Sequence, residues 1–343
     1  MSGGVDSSVA AIVLKNEGYN ASGVTMRFGI AGEDERARCC GAAAVDDAKR
    51  VCAKLKIPHY VFDYAGELEE KVIAKFVSEY KKGRTPNPCV DCNRSLKFGS
   101  LLEKAKSLGF DYLATGHYAA IERSDAGFYL KRPRDRKKDQ TYFLYAIPYG
   151  DLGRILFPLA SLTKEEVRSI ARHASLPVAE KKESQDICFV TQKNYQEFLS
   201  ERIQGLNPGS IVDMQGNILG RHRGIIFYTI GQRGGLRISH RTPLYVVSID
   251  PDKNQIVVGE KRNLKSVGLV AGEVNMLVPS WPEQVYAKIR YRKKESPCGV
   301  TFENNRIKVR FAEEQEAITP GQSVVFYAHD CVLGGGVIEE VFR

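Results

Sequence analysis

Two kinds of hydrophobic pattern divide the chain near residue 200. Before it, short apolar runs alternate with segments whose apolar positions recur at helical spacing, which is typical of a parallel sheet covered by helices. The predicted strands are 21–28, 58–64 and 110–118. The predicted helices are 8–17, 43–55, 67–81 and 95–107. Thr163 and Glu166 have capping-box spacing, which predicts one more helix.

After about residue 205 the apolar positions alternate in short runs that are separated by turn residues. Segments 207–220 and 248–260 are predicted hairpins, and the β-branched and aromatic runs after residue 268 predict a small antiparallel barrel. We therefore predict an α/β fold in which a parallel-sheet domain is followed by a β-rich central domain and a C-terminal antiparallel β-barrel. The predicted boundaries are 1–200, 201–265 and 266–343.

The sequence SGGVDSS at residues 2–8 leads directly into the first predicted helix. Glycines allow backbone N–H groups to approach phosphate oxygens, and a helix N-terminus adds partial positive charge. The loop lacks the Gly-Lys-Ser/Thr of a Walker A motif, which argues against a P-loop NTPase. The alternative is a glycine-rich turn capped by Asp6 or Ser7. Because such loops usually follow a buried strand, we expect a short apolar strand to be encoded upstream of Met1.

The overall charge favours a polyanionic partner such as nucleic acid, since 50 Lys and Arg exceed 41 Asp and Glu by a net +9. The chain has neither an apolar run of membrane-spanning length nor a secretory signal pattern, so we expect a cytoplasmic protein with no membrane partner. In a reducing compartment its eight cysteines are expected to be thiolates, metal ligands or transient redox partners.

Cys89 and Cys92 form a CxxC in a loop that contains two prolines. The pair is interpreted as a redox pair or as part of an iron–sulfur site, because no second CxxC or HxxxH completes a zinc site. Cys188 lies in a β-like Ile-Cys-Phe-Val run. The remaining cysteines that we interpret as small core residues are Cys52, Cys298 and Cys331.

Seven motifs follow one another in an order that resembles a known family. SGGxDS is followed by TPNPxxxCN, LKFG, ATGHY, KDQTYFL, SQDICF and GQRGGL, and this order resembles the tRNA-specific 2-thiouridylases of the PP-loop ATP pyrophosphatase superfamily. The resemblance implies a PP-loop (adenine nucleotide α-hydrolase-like) catalytic domain, ATP and Mg²⁺ as cofactors, and tRNA as substrate. The implied reaction is adenylation of the 2-oxygen of the wobble uridine, followed by sulfur transfer with release of AMP.

The resemblance implies that Cys92 and Cys188 are the catalytic thiols. Cys188 would carry a persulfide received from a persulfide carrier or cysteine desulfurase, and Cys92 would accept the resulting disulfide. We expect the positive phosphate cradle to favour the thiolate. Cys89 departs from the family pattern, which has Asp there, and resembles a three-cysteine variant. In that variant Cys89, Cys92 and Cys188 would hold a [4Fe–4S] cluster whose fourth iron takes sulfide, and both mechanisms remain open.

The resemblance also implies binding residues. Those for the nucleotide are Ser2, Gly3, Gly4, Val5, Asp6, Ser7, Met26 and Gly116. Those for tRNA are Asn87, Pro88 and Cys89 at the target base, Lys138, Asp139 and Gln140 after a basic run, and Arg290 and Tyr291 in the barrel. Arg233 is expected to help hold the central domain against the RNA. The rival interpretations are a PP-loop amidotransferase or ligase, which needs no cysteine pair, and a non-catalytic tRNA-binding protein.

Overall fold

The computed structural model describes residues 1–29, 41–182, 187–190 and 194–342, which form two compact units. Unit 1 comprises Met1–Val72, Cys89–Thr191 and His329–Val332. Unit 2 comprises Ile73–Pro88, Gln192–Ala328 and Leu333–Arg343. None of the described helices is long and apolar enough to cross a membrane.

Unit 1 contains short parallel strand pairs and helices. Its strands are β1 Gly23–Arg27, β2 His59–Asp63, β3 Leu113–Ala114, β4 Ala120–Ser124, β5 Gly127–Lys131 and β6 Ile155–Leu156. β1 pairs with β2 and β3 with β6 in parallel, whereas β4 and β5 form an antiparallel hairpin. The predicted parallel α/β arrangement is therefore confirmed.

The helices agree closely with the sequence prediction. They are Val5–Asn16, Ala42–Leu55, Ala65–Leu68, Ala74–Lys81, Pro88–Asp91, Leu101–Ser107, Lys164–His173 and Tyr195–Arg202, of which Ala74–Lys81 and Tyr195–Arg202 belong to unit 2. π-helical turns at Glu69–Ile73 and Cys92–Ser100 join neighbouring segments, and short 3₁₀ turns include Arg136–Lys138 and Thr141–Phe143. The capping box is present, with each of Thr163 and Glu166 accepting the other's backbone N–H through its side chain.

The core of unit 1 lies beneath the helix that follows SGGVDSS. Val5, Val9 and Ile12 on that helix pack against a buried cluster that includes Tyr118 and Val167. Apolar residues at these spacings place one face of the helix on the core, which fixes the position of the glycine loop at its N-terminus. Predicted strand 110–118 is wrong in extent, because only Leu113 and Ala114 form a strand before the chain turns toward that loop.

Unit 2 contains a mixed four-stranded sheet and a closed barrel. The strands of the sheet are β7 Gly209–Val212, β8 Ile218–His222, β9 Tyr245–Asp250 and β10 Gln255–Gly259, in the order β8-β7-β10-β9. The two predicted hairpins are confirmed, and β7 also pairs with β10 in parallel.

Six antiparallel strands form the barrel. They are β11 Lys265–Met276, β12 Val285–Lys288, β13 Ser296–Glu303, β14 Arg306–Glu316, β15 Ser323–Ala328 and β16 Cys331–Phe342. Their order is β11-β14-β13-β12-β15-β16, and pairing of β16 with β11 closes the ring. Closure leaves no sheet edge unpaired, and the predicted barrel is confirmed.

Candidate active site

The glycine loop turns sharply before the first helix. Gly3 adopts a left-handed φ of 66°, and a Cβ there would overlap the backbone of Ala44, so only glycine fits. Gly4 is the N-cap, and no described side chain caps it. The hydroxyls instead turn inward, with Ser7 and Ser8 donating to the Gly4 carbonyl at 3.2 and 2.8 Å. The interpretation as a turn capped by Asp6 or Ser7 is therefore wrong, and the N-terminus of the helix is left for an anion.

Segments distant in sequence hold this loop from the side of Asp6. A Cβ on Gly116 would lie 2.7 Å from the backbone of Asp6 and Ser7, so the ATGHY segment touches the loop directly. The Tyr118 hydroxyl donates to Asp6 Oδ1 at 3.0 Å. Lys164 Nζ donates to both carboxylate oxygens of Asp6 at 2.6 and 2.8 Å. The loop is therefore fixed by protein contacts alone.

Two lysines at the loop were missed by reasoning from the sequence. Lys164 is only 8% exposed although it begins a helix, where the helix dipole disfavours a cation. A lysine at the start of a helix is the feature from which the sequence could have shown a special role for Lys164. Its ion pair with the Asp6 carboxylate explains why it is there. Lys181 Nζ donates to the Gly3 carbonyl at 2.9 Å and to Asp47 at 2.7 Å. Two cations therefore flank a loop suited to phosphate oxygens.

The CxxC lies at the start of a helix rather than in an open loop. Pro88 begins the helix, a position where its missing N–H costs nothing. Cys89 is exposed, whereas Cys92 is 7% exposed at the start of the π-helical turn. Burial raises the pKa of the Cys92 thiol and outweighs the lowering by Lys97. The expectation that the local field favours the Cys92 thiolate is therefore wrong for this conformation.

Aromatic packing connects the cysteine helix with the phosphate loop. The ring of His117, next to Gly116, lies 5.9 Å from Phe98 on the π-helical turn and 6.2 Å from Phe157. Removal from water lowers the pKa of His117 well below its usual value, and Lys97 adds to the effect. Lys97, whose Nζ donates to Asn93 at 2.9 Å, thus acts electrostatically on both Cys92 and His117. The packed rings of His117, Phe98 and Phe157 therefore connect the phosphate loop with the helix that carries Cys92.

Cys188 lies in a turn and not in the predicted strand. Val190 N–H donates to the Ile187 carbonyl at 3.1 Å, and Phe189 is 2% exposed. The apolar run was misleading because its phenylalanine anchors a turn. Cys188 itself is half-buried, and residues 183–186 of the SQDICF motif lie outside the described residues.

The three thiols of the predicted cluster do not form a metal site in this arrangement. Within the described ranges, no group of three or more His, Cys, Asp or Glu residues could hold a metal ion. A [4Fe–4S] cluster with three cysteine ligands needs all three thiols around one centre. The described residues therefore give the cluster no support, and it stays a prediction.

Comparison with known proteins identifies the family. Residues 1–192 match the model described as tRNA methyl transferase HUP domain, 196–260 the tRNA methyl transferase PRC-barrel domain, and 266–338 the aminomethyltransferase beta-barrel domain. A tRNA-specific 2-thiouridylase MnmA 1 from Syntrophus aciditrophicus is 59% identical over 100% of this chain and 92% of its own length. The chain belongs to the tRNA-specific 2-thiouridylase family.

Other members of the 2-thiouridylase family match at similar coverage. The protein from Carboxydothermus hydrogenoformans is 49% identical over 99% of this chain and 96% of its own. That from Clostridium perfringens is 46% identical, with 99% and 97% covered. The resemblance inferred from the seven motifs is thus confirmed at the level of the family.

The residues of the KDQ motif make hydrogen bonds within unit 1. The Tyr118 N–H donates to the Gln140 side-chain oxygen at 2.8 Å, and the Gln140 N–H donates to the Tyr118 carbonyl at 3.0 Å. Asp139 is 6% exposed and accepts from the backbone and hydroxyl of Thr141 at 2.9 and 2.6 Å. Lys138 is half-buried. Gln140 therefore supports the tyrosine that holds Asp6, and tRNA contact at these residues stays a prediction.

The other predicted binding residues are placed as follows. Met26 is half-buried in β1. Gln322 Nε2 donates to the Thr85 carbonyl at 2.8 Å and so fixes the backbone just before half-buried Asn87 and buried Pro88. Arg290 donates to the carbonyls of Ile230 and Ala317 at 3.2 and 2.7 Å.

Arg290 therefore stabilises unit 2 internally. Tyr291, its neighbour, lies with its ring centroid 5.5 Å from Lys288 Nζ. Predicted tRNA contacts at Arg290 and Tyr291 stay predictions.

Proposed function

We propose that this chain is an ATP-dependent tRNA-uridine 2-sulfurtransferase that thiolates the wobble uridine. The observation that carries the proposal is the anion-binding loop at residues 2–8, braced by Gly116 and joined through His117 and Phe98 to the helix of Cys92. Family membership along the whole chain supports the same activity.

The loop supplies the nucleotide site. The first turn of a helix donates N–H groups to phosphate oxygens, and Lys164 and Lys181 lie at either side of the loop. Asp6 is the carboxylate that would contact Mg²⁺, which proteins hold through one or two carboxylates together with substrate phosphates. The ion would neutralise the phosphate charge of ATP.

The first chemical step activates the base. The 2-oxygen of uridine attacks the α-phosphorus of ATP, a bond to that phosphorus forms, and pyrophosphate leaves. The departing pyrophosphate stays within the field of the loop N–H groups and the two lysines. For the oxygen to reach ATP, the uridine must leave the anticodon stack.

The second step transfers sulfur. The terminal sulfur of a Cys188 persulfide attacks C2 of the adenylated uridine, and AMP leaves with the oxygen. The Cys92 thiolate then attacks Cys188 Sγ, which breaks the S–S bond to the transferred sulfur, releases 2-thiouridine and leaves a Cys92–Cys188 disulfide. A thiol reductant and a persulfide donor restore the resting enzyme. Burial of Cys92 means that this thiol must become exposed and lose its proton first.

The test is a reconstituted reaction analysed by mass spectrometry of the tRNA nucleosides. The protein is incubated with tRNA, ATP, Mg²⁺ and a persulfide donor, and we expect 2-thiouridine and AMP in equal amounts. A parallel sample with inorganic sulfide and reconstituted iron tests the cluster route. Cys188→Ser should abolish thiolation and AMP release and retain tRNA-dependent pyrophosphate release, whereas Cys298→Ser, in the barrel, should leave all three unchanged.

Other outcomes distinguish the rival classes. Turnover that survives in Cys188→Ser would indicate an amidotransferase or ligase, because these need no cysteine pair. Absence of tRNA-dependent AMP or pyrophosphate from the wild-type protein would leave only a tRNA-binding role.

A further inference from the structure

A small open cavity lies in unit 2. It has a volume of about 360 Å³ and is lined by the single segment from Arg233 to Leu244, which precedes β9. Ligand pockets in proteins usually measure roughly 300–1,000 Å³, so this one suits a group the size of a phosphate with part of its sugar.

Three arginines dominate the lining of this cavity. Arg233, Arg237 and Arg241 are all exposed, and none of them makes an ion pair or hydrogen bond with the described part of the chain. By contrast, exposed Arg306 pairs with Glu339 at 3.1 Å and Arg262 with Glu260 at 3.3 Å. Three uncompensated guanidinium groups around one concavity form a strong site for an anion, and guanidinium matches phosphate oxygens in pairs.

The Glu260 carboxylate does not neutralise the three arginines. Glu260 accepts from the Thr242 hydroxyl at 3.3 Å and pairs with Arg262. The imidazole of His240, which also lines the cavity, is hydrogen-bonded to Thr242 through Nδ1. Both groups are thus engaged with partners other than the three arginines.

The backbone of the segment is held in a demanding conformation. Arg237 has a left-handed φ of 55°, which residues other than glycine seldom adopt. Gly235 has a φ of 81°, and the buried side chains of Leu236 and Leu244 anchor the segment. The two leucines therefore hold this stretch of backbone in place.

We propose that this cavity, the Arg233–Leu244 pocket, binds a backbone phosphodiester of the tRNA substrate. The inference rests on the proposed function. No Tyr, Phe or Trp lines the described cavity, and its three arginines favour recognition through charge. Contacts to phosphate fix the register of an RNA on a protein without reading its sequence.

The salt dependence of tRNA binding tests the pocket. Each phosphate neutralised contributes a slope of about 0.7–0.9 to the fall of log K with log salt. In the variant Arg233→Gln/Arg237→Gln/Arg241→Gln we expect the slope to fall by about 0.7–0.9, the contribution of one phosphate, and tRNA affinity at low salt to fall at least tenfold. A single Arg241→Gln change should lower the affinity by less than the triple change does.

A matched control removes the same net charge elsewhere in unit 2. Lys253→Gln/Arg262→Gln/Arg306→Gln changes three exposed cations that already have carboxylate partners. This control should leave both the slope and the tRNA affinity at their wild-type values. Equal melting temperatures of the two triple variants would show that both fold.

The remaining outcomes decide between the possible sources of the anion. Titration with inorganic phosphate and pyrophosphate by calorimetry should give the same binding curves for wild type and the pocket variant, because the glycine loop that would hold pyrophosphate is unchanged in both. Loss of pyrophosphate binding in the pocket variant with an unchanged tRNA slope would overturn the inference, as would equal losses of tRNA affinity in pocket and control variants. A wild-type protein that binds no tRNA would instead refute the proposed function itself.

Discussion

The phosphate loop and the cysteine helix of unit 1 differ in how far they are preorganised for reaction. The loop is fixed by Gly116, Tyr118 and Lys164, all of which contact Asp6 or its neighbour. Cys92, by contrast, is buried, and its pKa is raised. A preorganised charge site needs no rearrangement when ATP arrives, whereas a buried thiol must be exposed before it reacts. We therefore expect the nucleotide part to stay constant through the proposed cycle and the sulfur part to move.

The largest effect is expected from a change that displaces the phosphate loop. Gly116→Ala would place a Cβ 2.7 Å from the backbone carbonyl carbon of Asp6 and amide nitrogen of Ser7. Because backbone cannot step aside as a side chain does, the loop must shift, and displacements near 1 Å cost about 100-fold in rate. We expect tRNA-dependent AMP formation to fall about 100-fold, measured by release of radiolabelled AMP.

Gly150→Ala is the matched control for that prediction. Nothing lies within 4 Å of a Cβ at Gly150, which is also in unit 1, so its activity should stay within about twofold of wild type. Comparable activity of Gly116→Ala and wild type would show that the loop is not held in the way described.

The second prediction concerns the thiols. In the native protein, iodoacetamide should modify exposed Cys89 at least ~10-fold faster than buried Cys92 at neutral pH, because Cys92 reacts only after local opening. Since burial raises the pKa of Cys92 above its ordinary 9.0, its rate should keep rising with pH beyond that value, where the rate of a thiol of ordinary pKa levels off. Peptide mass mapping after timed quenching measures both rates. Equal rates at pH 7.5 would remove the contrast between loop and helix.

The same labelling experiment can be repeated in the presence of tRNA and ATP. If the sulfur part moves during the cycle, modification of Cys92 should become faster in the presence of both substrates, with the rate at Cys52 as the internal reference. Cys52 is 1% exposed in the helix behind the loop and should stay protected throughout.

The third prediction tests the ion pair behind the loop. Lys164→Met leaves the Asp6 carboxylate without its cation in a partly buried place, which should cost about 1–3 kcal/mol of stability. The KM for ATP should rise roughly 3- to 10-fold, because Asp6 loses its fixed orientation. Lys131→Met removes an exposed pair with Glu122 and should cost at most about 1 kcal/mol. Similar losses in both variants would show that burial of Lys164 contributes little.

Local sequence patterns predicted most of the elements that position the site. The helix after the loop, the capping box at Thr163 and both hairpins follow from periodicity and turn chemistry, which act over a few residues. The seven motifs supplied the family. Each of these features depends on residues that are close together in the sequence.

The partners of the loop could not be predicted in the same way. Lys164 contacts Asp6 across 158 positions and Lys181 contacts Gly3 across 178, and lysine alone carries no indication of which carboxylate or carbonyl it will meet. The protonation preference of Cys92 was mispredicted for a related reason, because burial depends on packing of the whole unit. Tertiary contacts also overrode β propensity at Ile187–Val190.

The smallest expected effect lies at His117, which joins the two regions. Its folded pKa is depressed well below 6.5 by desolvation, whereas in the unfolded chain it binds a proton near 6.5. The unfolded state therefore binds more protons below this value, so the stability contributed by neutral His117 is present above pH 6.5 and lost as pH falls. At pH 5.5 the loss should reach roughly 1 kcal/mol.

Chemical denaturation of wild type, His117→Phe and His117→Asn from pH 7.5 to 5.5 measures this contribution. Both variants lack the ionisable ring, so both should show a shallower decline of stability with acid than wild type. Phe retains an aromatic ring against Phe98 and Phe157, whereas Asn does not, and the two should differ in absolute stability but share the same pH slope. A slope that changes only in His117→Asn would assign the effect to packing rather than to protonation, and the link between loop and cysteine helix would then be steric alone.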